Sequence, residues 1–196
     1  VGAPGCPVVI GIKTDSILKA LKEFTGAHRR FETKGRVNGV WVVDDYAHHP
    51  TEIGVTLKAA LQTKPQRLIC VFQPHRYTRT QLLFNEFCAC FKGCDKLIVT
   101  DIYAASEDPI EGVNSRKLAE GIKKTSGVDV EYVPSMADIE NYLAANARTG
   151  DLVMTIGAGD VYKVGEALVA DLQRSNENVY QKSGSCSCNG RAFRRT

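Results

Sequence analysis

From residue 40 onward, short apolar runs alternate with longer stretches in which apolar side chains recur every three or four positions. The short runs are VWVVDD (40–45), RLICVFQ (67–73), KLIVTD (96–101), DVEYV (129–133) and DLVMTIG (151–157). Near-continuous apolar runs predict strands covered on both faces, as in a parallel sheet. Each run precedes a segment of helical period: Ile53, Leu57, Ala60 and Leu61; Phe84, Phe87, Cys88 and Phe91; Leu118 and Ile122; Met136, Ile139 and Leu143; Val161, Val164, Leu168 and Leu172. Pro50 suits a first helical turn, Ser115 and Ser135 suit caps, and Gly93, Gly127 and Gly150 suit helix ends. The pattern predicts an α/β fold over 37–174: a doubly wound, mostly parallel sheet with helices on both faces.

Outside that span the pattern changes. VGAPGCPVVIGI is irregular, and TDSILKALKEFTG predicts an amphipathic helix with Ile17, Leu18, Leu21 and Phe24 inward and Gly26 as terminator. HRRFETKGRVNGVWVV reads as a strand, a turn and the first strand of the sheet. Residues 1–36 are expected to be an extension or the last piece of a preceding domain. The Ser/Asn/Gly/Arg-rich stretch 175–196 lacks a period and is expected to be a disordered basic tail.

Composition narrows the class. A net charge of +3 over 196 residues, with no basic stripe interleaved with aromatics, gives no reason to expect nucleic acid. There is no apolar run near the length of a membrane span and no signal-peptide pattern. Seven cysteines (Cys6, Cys70, Cys88, Cys90, Cys94, Cys186 and Cys188) are an odd, scattered set, which fits reduced thiols and a cytoplasmic protein. On a helix, Cys88 and Cys90 would point about 200° apart, which argues against a shared metal.

In open α/β sheets, ligands bind beyond the carboxyl ends of the strands. The first strand delivers Asp44, Asp45, Tyr46, His48 and His49 there; the second Gln73, His75, Arg76 and Arg79; the third Asp101, Tyr103, Glu107 and Asp108; the last Gly157–Asp160. Four polar clusters at one edge predict a site. Arg76 and Arg79, flanking a helix start near Thr78, suit a carboxylate or phosphate, and the competing reading pairs one of them with Asp44 or Glu107. Adjacent histidines face opposite ways along an extended stretch, so at most one enters the cleft. A zinc site of these histidines with Asp45 and His75 is a minority reading, and no metal ligand is assigned. GAGD at 157–160 fits a tight strand-to-helix turn as well as a ligand loop. No GxxxxGK[ST] phosphate loop occurs in the chain.

At these residues the sequence resembles the Mur ligases. The matching pieces are RRFE (29–32), DDYAHHPTEI (44–53), VFQPHRYTRT (71–80), DIYAASEDPIEGVNS (101–115) and GAGDVYKV (157–164), in the family's order and spacing. The resemblance implies a three-domain enzyme of peptidoglycan synthesis, with this chain supplying the end of the central ATP-binding domain (1–36) and the C-terminal Rossmann-like domain (37–174). It implies ATP-dependent joining of L-alanine to UDP-N-acetylmuramate with Mg²⁺, through an acyl phosphate, the sugar and the phosphate loop being held by the N-terminal and central domains. By position, Arg30, Asp45 and Tyr46 match the ATP side, His48, Arg76 and Arg79 match the amino-acid clamp, and Asp45 and His48 are the expected catalytic pair. The chain alone is expected to be inactive. Alternatives are a recycling ligase that adds a tripeptide to the same sugar, and a non-catalytic module that binds an amino acid or nucleotide.

Overall fold

The structure, a computed structural model, describes residues 12–23 and 27–183. Helix α1 is Thr14–Glu23. An antiparallel hairpin, β1 (Glu32–Val37) and β2 (Val40–Asp45), leads into α2 (Pro50–Gln62), β3 (Arg67–Phe72), the short α3 (Tyr77–Leu82), α4 (Phe84–Cys90) and β4 (Lys96–Val99). Then come α5 (Ser115–Ser126), β5 (Asp129–Tyr132), α6 (Met136–Asn146), β6 (Asp151–Ile156) and α7 (Tyr162–Ser183). The sheet order is β1-β2-β6-β3-β4-β5, parallel except for β1, so the α/β expectation holds and each expected strand forms within a residue or two of its run.

The strand order explains where a site can form. The chain steps from β2 over β6 to β3, continues outward to β4 and β5, then returns to β6 at the centre. Right-handed crossovers therefore place the outgoing helices on one face and the returning helix on the other. Ile53, Leu57, Phe87, Phe91, Leu118 and Ile122 pack on Leu68, Cys70, Phe72, Leu97 and Met154. Ile139, Leu143, Val161, Val164 and Leu168 pack on Val42, Ile69, Val71, Ile98 and Val153. At its carboxyl end β6 thus turns to the face opposite that taken by its neighbours β2 and β3. This is the topological switch point, where diverging loops open a crevice.

Several expectations need correction. Leu18, expected inward on α1, is 51% exposed: the helix forms, but nothing among the described residues covers that part of its apolar stripe. Leu61 is 39% exposed and instead closes over the turn at Gly93, whose φ is +95°. The cap of α5 is Asn114, not Ser115: Asn114 is extended and accepts the Lys117 N–H at 2.9 Å, while Ser115 lies inside the helix with its buried Oγ unpartnered. Ser135 does cap α6, and Gly127 ends α5 at φ +71°. Helix α7 runs past residue 174 to Ser183, into the stretch expected to be a tail; extending a helix already nucleated on the sheet costs little per residue. Phe24, Gly26, Cys6, Cys186 and Cys188 lie outside the described residues.

Candidate functional site

The lip of the crevice is built around Arg29. Its guanidinium donates from Nε to Asp44 Oδ2 (2.8 Å), from Nη1 to the Gly159 carbonyl (3.0 Å) and from Nη2 to the Gly157 carbonyl (2.7 Å). It also lies over the rings of Tyr46 (5.0 Å) and Tyr162 (4.7 Å). Asp44 is fully buried and additionally accepts from Thr155 Oγ1 at 2.6 Å. A buried charge needs this density of partners, and here the partners bind the β1–β2 hairpin to the loop after β6. The GAGD segment is therefore a turn whose carbonyls are held by protein.

Asp45 is also buried, 4% exposed, and its carboxylate accepts the Phe31 N–H at Oδ2 and the Ala47 N–H at Oδ1, both at 2.8 Å. Those bonds set the direction of the segment that follows. Tyr46, 36% exposed, projects at the lip, with the half-exposed Arg30 guanidinium 5.8 Å from its ring and 3.9 Å from Glu52. The adjacent histidines separate as the extended geometry requires. His49 caps α2, its Nδ1 accepting the Thr51 N–H at 3.3 Å, while Glu52 accepts the backbone N–H of His48 and of His49. Burial works against ionisation of Glu52, but these N–H donors, together with the neighbouring His48 ring and Arg30, hold its carboxyl below the usual range. His48 turns to the site: its Nδ1 lies 3.0 Å from the Tyr46 carbonyl, which can only accept, so Nδ1 donates there and Nε2 is the ring nitrogen left without a protein partner among the described residues.

The second strand end meets this group. The His75 ring lies 6.0 Å from His48 and stacks on Tyr103 at 5.5 Å and 14°. Tyr103 in turn packs on Gly159, where a Cβ would come within 2.8 Å of its ring. Gln73 ties the same loop by donating to Asp160 Oδ1 (2.9 Å) and accepting from Val161 N–H (3.2 Å). Arg79 reaches back to His75 Nδ1 at 3.2 Å. Arg76 leans the other way, its Nη1 being 3.8 Å from Glu107, which also accepts from the N–H and hydroxyl of Thr78. The Thr78 hydroxyl and N–H, with Arg76 nearby, hold the Glu107 carboxyl below its ordinary range. Arg76 has φ +72°, ψ 139°, a conformation strained for any residue but glycine. It is held there by its N–H to the Tyr103 carbonyl (2.8 Å) and by Thr80 Oγ1 on its own carbonyl (2.8 Å). Strain of this kind is typical of functional positions.

The structure thus brings His48, Arg79, Tyr46 and Arg30 to the same lip. Arg76 stands at its margin against Glu107, and Asp45 turns its carboxylate into the fold. Sequence reasoning passed over Arg29. Two arginines facing two aspartates across a predicted hairpin were the available signal, but which one would turn inward depends on the positive φ of Arg29 (+54°) and Phe31 (+47°). Among the described residues no group of three or more His, Cys, Asp or Glu is arranged to hold a metal. A cavity of about 240 Å³ beside the site is lined by Thr80, Gln81, Phe84, Asn114 and Lys117, among others, and by none of the candidate residues.

Comparison with known proteins bears on this lip. The family model "Mur ligase, glutamate ligase domain" matches residues 29–159. UDP-N-acetylmuramate–L-alanine ligase of Desulforamulus reducens is 49% identical over 164 residues, 84% of this chain and 36% of that protein. The enzyme of the same name from Syntrophus aciditrophicus is 52% identical over 162 residues, 83% of this chain and 34% of that protein. The crystal structure of UDP-N-acetylmuramate-alanine ligase from Thermotoga maritima superimposes with a TM-score of 0.72 at 25% identity, over 87% of this chain and 36% of that one. The chain spans about a third of the length of the relatives it matches.

Proposed function

The chain belongs to the Mur ligase family, and from that premise we propose that it is the amino-acid-binding domain of an ATP-dependent, cytoplasmic ligase joining L-alanine to UDP-N-acetylmuramate in peptidoglycan synthesis. The observation that carries the reading is the contiguous Arg79–His75–His48 group at the switch point, with Arg76 beside it. Alanine offers a carboxylate, an ammonium and one methyl. Arg79, and Arg76 once it exchanges Glu107 for substrate, supply two forks for the carboxylate. In its neutral form His48 would offer Nε2 as the acceptor that orients the ammonium and takes its proton before attack. Fixing both ends of so small a molecule converts a rare collision into a positioned one.

Arg30 and Tyr46, aimed by the buried Asp45 turn, fit one wall of a nucleotide site: a half-exposed cation and an exposed ring on the lip. ATP supplies the activating phosphoryl group when bound, and Arg30 is the residue here that would meet its charge. Magnesium would come with the nucleotide and be held largely by its phosphates, since no group of three or more His, Cys, Asp or Glu is gathered for a metal among the described residues. The sugar nucleotide and phosphate loop fall to the rest of the ligase.

The test is complementation in solution. The chain is mixed with the N-terminal and central domains of the Desulforamulus reducens ligase, and phosphate release is followed with ATP, Mg²⁺, UDP-N-acetylmuramate and L-alanine. Turnover that needs both protein parts and L-alanine is expected. Turnover by the chain alone, or by the mixture without L-alanine, would overturn the reading.

A further inference from the structure

We propose that His75 is a positioning residue for the amino-acid clamp: as a neutral imidazole it accepts a hydrogen bond from Arg79 and so fixes the guanidinium, making alanine capture weaken in acid. The proposal rests on the clamp reading above and assigns to it a residue outside the substrate-contacting set.

The argument begins with donor chemistry. A guanidinium has N–H groups and no acceptor, so the 3.2 Å approach of Arg79 Nη1 to His75 Nδ1 is a bond only if Nδ1 is unprotonated. The single proton of neutral His75 then sits on Nε2. In His48, by contrast, Nδ1 must carry hydrogen, because it faces a carbonyl. The two rings, 6.0 Å apart, are therefore not interchangeable: Nδ1 of one accepts from an arginine, and Nδ1 of the other donates to a carbonyl.

His75 is itself held firmly enough to support another group. Its ring stacks on Tyr103, its backbone forms an isolated bridge to Tyr103, and Tyr103 rests on Gly159, whose carbonyl is held by Arg29. This continuous path runs from the buried Arg29 to Arg79. Arg79 has a second, longer contact to the His75 carbonyl at 3.4 Å, so the side chain and backbone of one residue grip it together.

Every charged group around the ring bears on its protonation. Burial, Arg79, His48 and Arg76 all push the His75 pKa below its ordinary value, and Glu107 alone opposes them. Tyr103 contributes an uncharged face. The neutral form therefore prevails above that lowered pKa. As the pH falls through it, protonated Nδ1 would face Arg79 as a second donor and a second positive charge, and Arg79 would be driven from the clamp. The affinity for alanine is thus complete at neutral pH and lost on the acid side.

Two measurements test this. On the isolated chain, long-range proton–nitrogen correlation NMR of His75 should show hydrogen on Nε2 and none on Nδ1 at pH 7.5. The second uses the Desulforamulus reducens ligase with its corresponding third replaced by this chain, and compares steady-state kinetics of His75→Asn, His75→Phe and Arg79→Met. Phenylalanine keeps the stack but removes the acceptor, and should raise the KM for alanine about tenfold, with kcat changed far less. Asparagine keeps an acceptor and cannot titrate, so at pH 7.5 its KM should stay within about twofold, and its acidic rise should be smaller than that of the unsubstituted enzyme, the remainder coming from groups other than His75. A proton on Nδ1 at pH 7.5, an unchanged KM in His75→Phe, or an acidic rise in His75→Asn as steep as in the unsubstituted enzyme would each overturn the proposal. If Arg79→Met leaves the KM for alanine unchanged, the clamp reading itself fails; if it raises KM while His75→Phe does not, only the role of His75 fails.

Discussion

Arg29 and Arg30 are neighbours in sequence with opposite surroundings, and single substitutions should separate them. Arg29→Met leaves the fully buried Asp44 and two loop carbonyls without their partner, so a loss of about 3–5 kcal/mol is expected in urea unfolding. Arg30→Ala removes a half-exposed cation 3.9 Å from Glu52 and should change stability by no more than about 0.5 kcal/mol, while weakening nucleotide binding in the assembled ligase. Arg76 offers a second contrast. Because its φ of +72° penalises any Cβ, Arg76→Gly should be more stable than Arg76→Ala by about 1 kcal/mol, although both remove the guanidinium. Equal stabilities in denaturant would show that the backbone relaxes there. The sequence displayed these residue types at one strand edge, yet burial and backbone sign, which decided their roles, depend on neighbours distant in the chain.

At the scale of elements, the helix starts are where sequence and structure can be compared most closely. Pro50 and Ser135 act at the expected helix starts, but the start of α5 is shifted by one residue to Asn114. Asn114→Ala should cost about 1 kcal/mol, whereas Ser115→Ala, which removes an unpartnered buried hydroxyl, should be neutral or stabilising by thermal melting. Two carboxylates at element entries give a pH dependence. Glu32 is held below its ordinary range chiefly by the Arg29 N–H, with Lys34 adding to this against burial; for Glu52 burial is opposed and outweighed by the His48 and His49 N–H groups together with the His48 ring and Arg30. A depressed carboxyl pKa stabilises the fold above its unfolded value, and that stability is lost as the pH falls through the folded value. The urea midpoint should therefore drop on acidification through that window, and the drop should shrink in Glu32→Gln and Glu52→Gln. A midpoint that stays flat there would remove these two groups from the account.

For the whole molecule, the central expectation is that the chain supplies one wall of a site. It should release no phosphate from ATP by itself, since it carries no phosphate-loop sequence, and should do so only with the complementary domains; a coupled phosphate assay decides. Periodicity alone fixed the layers, because strands buried on two faces must be apolar throughout and helices must present a stripe every 3.6 residues. It located β2 to β6 nearly to the residue and collected the polar groups at their carboxyl ends. Periodicity was silent on how those groups divide between support and chemistry. Arg29 rather than Arg30 became the buried strut, His49 became a cap while His48 faced the lip, and Glu107 took the place beside Arg76. Such choices depend on which donors and acceptors arrive from strands that are distant in sequence, and the order β2-β6-β3 brings them together only after folding. Local patterning carries hydrophobic burial because burial acts residue by residue; hydrogen-bond pairing joins specific atoms across the fold and is set by tertiary structure alone.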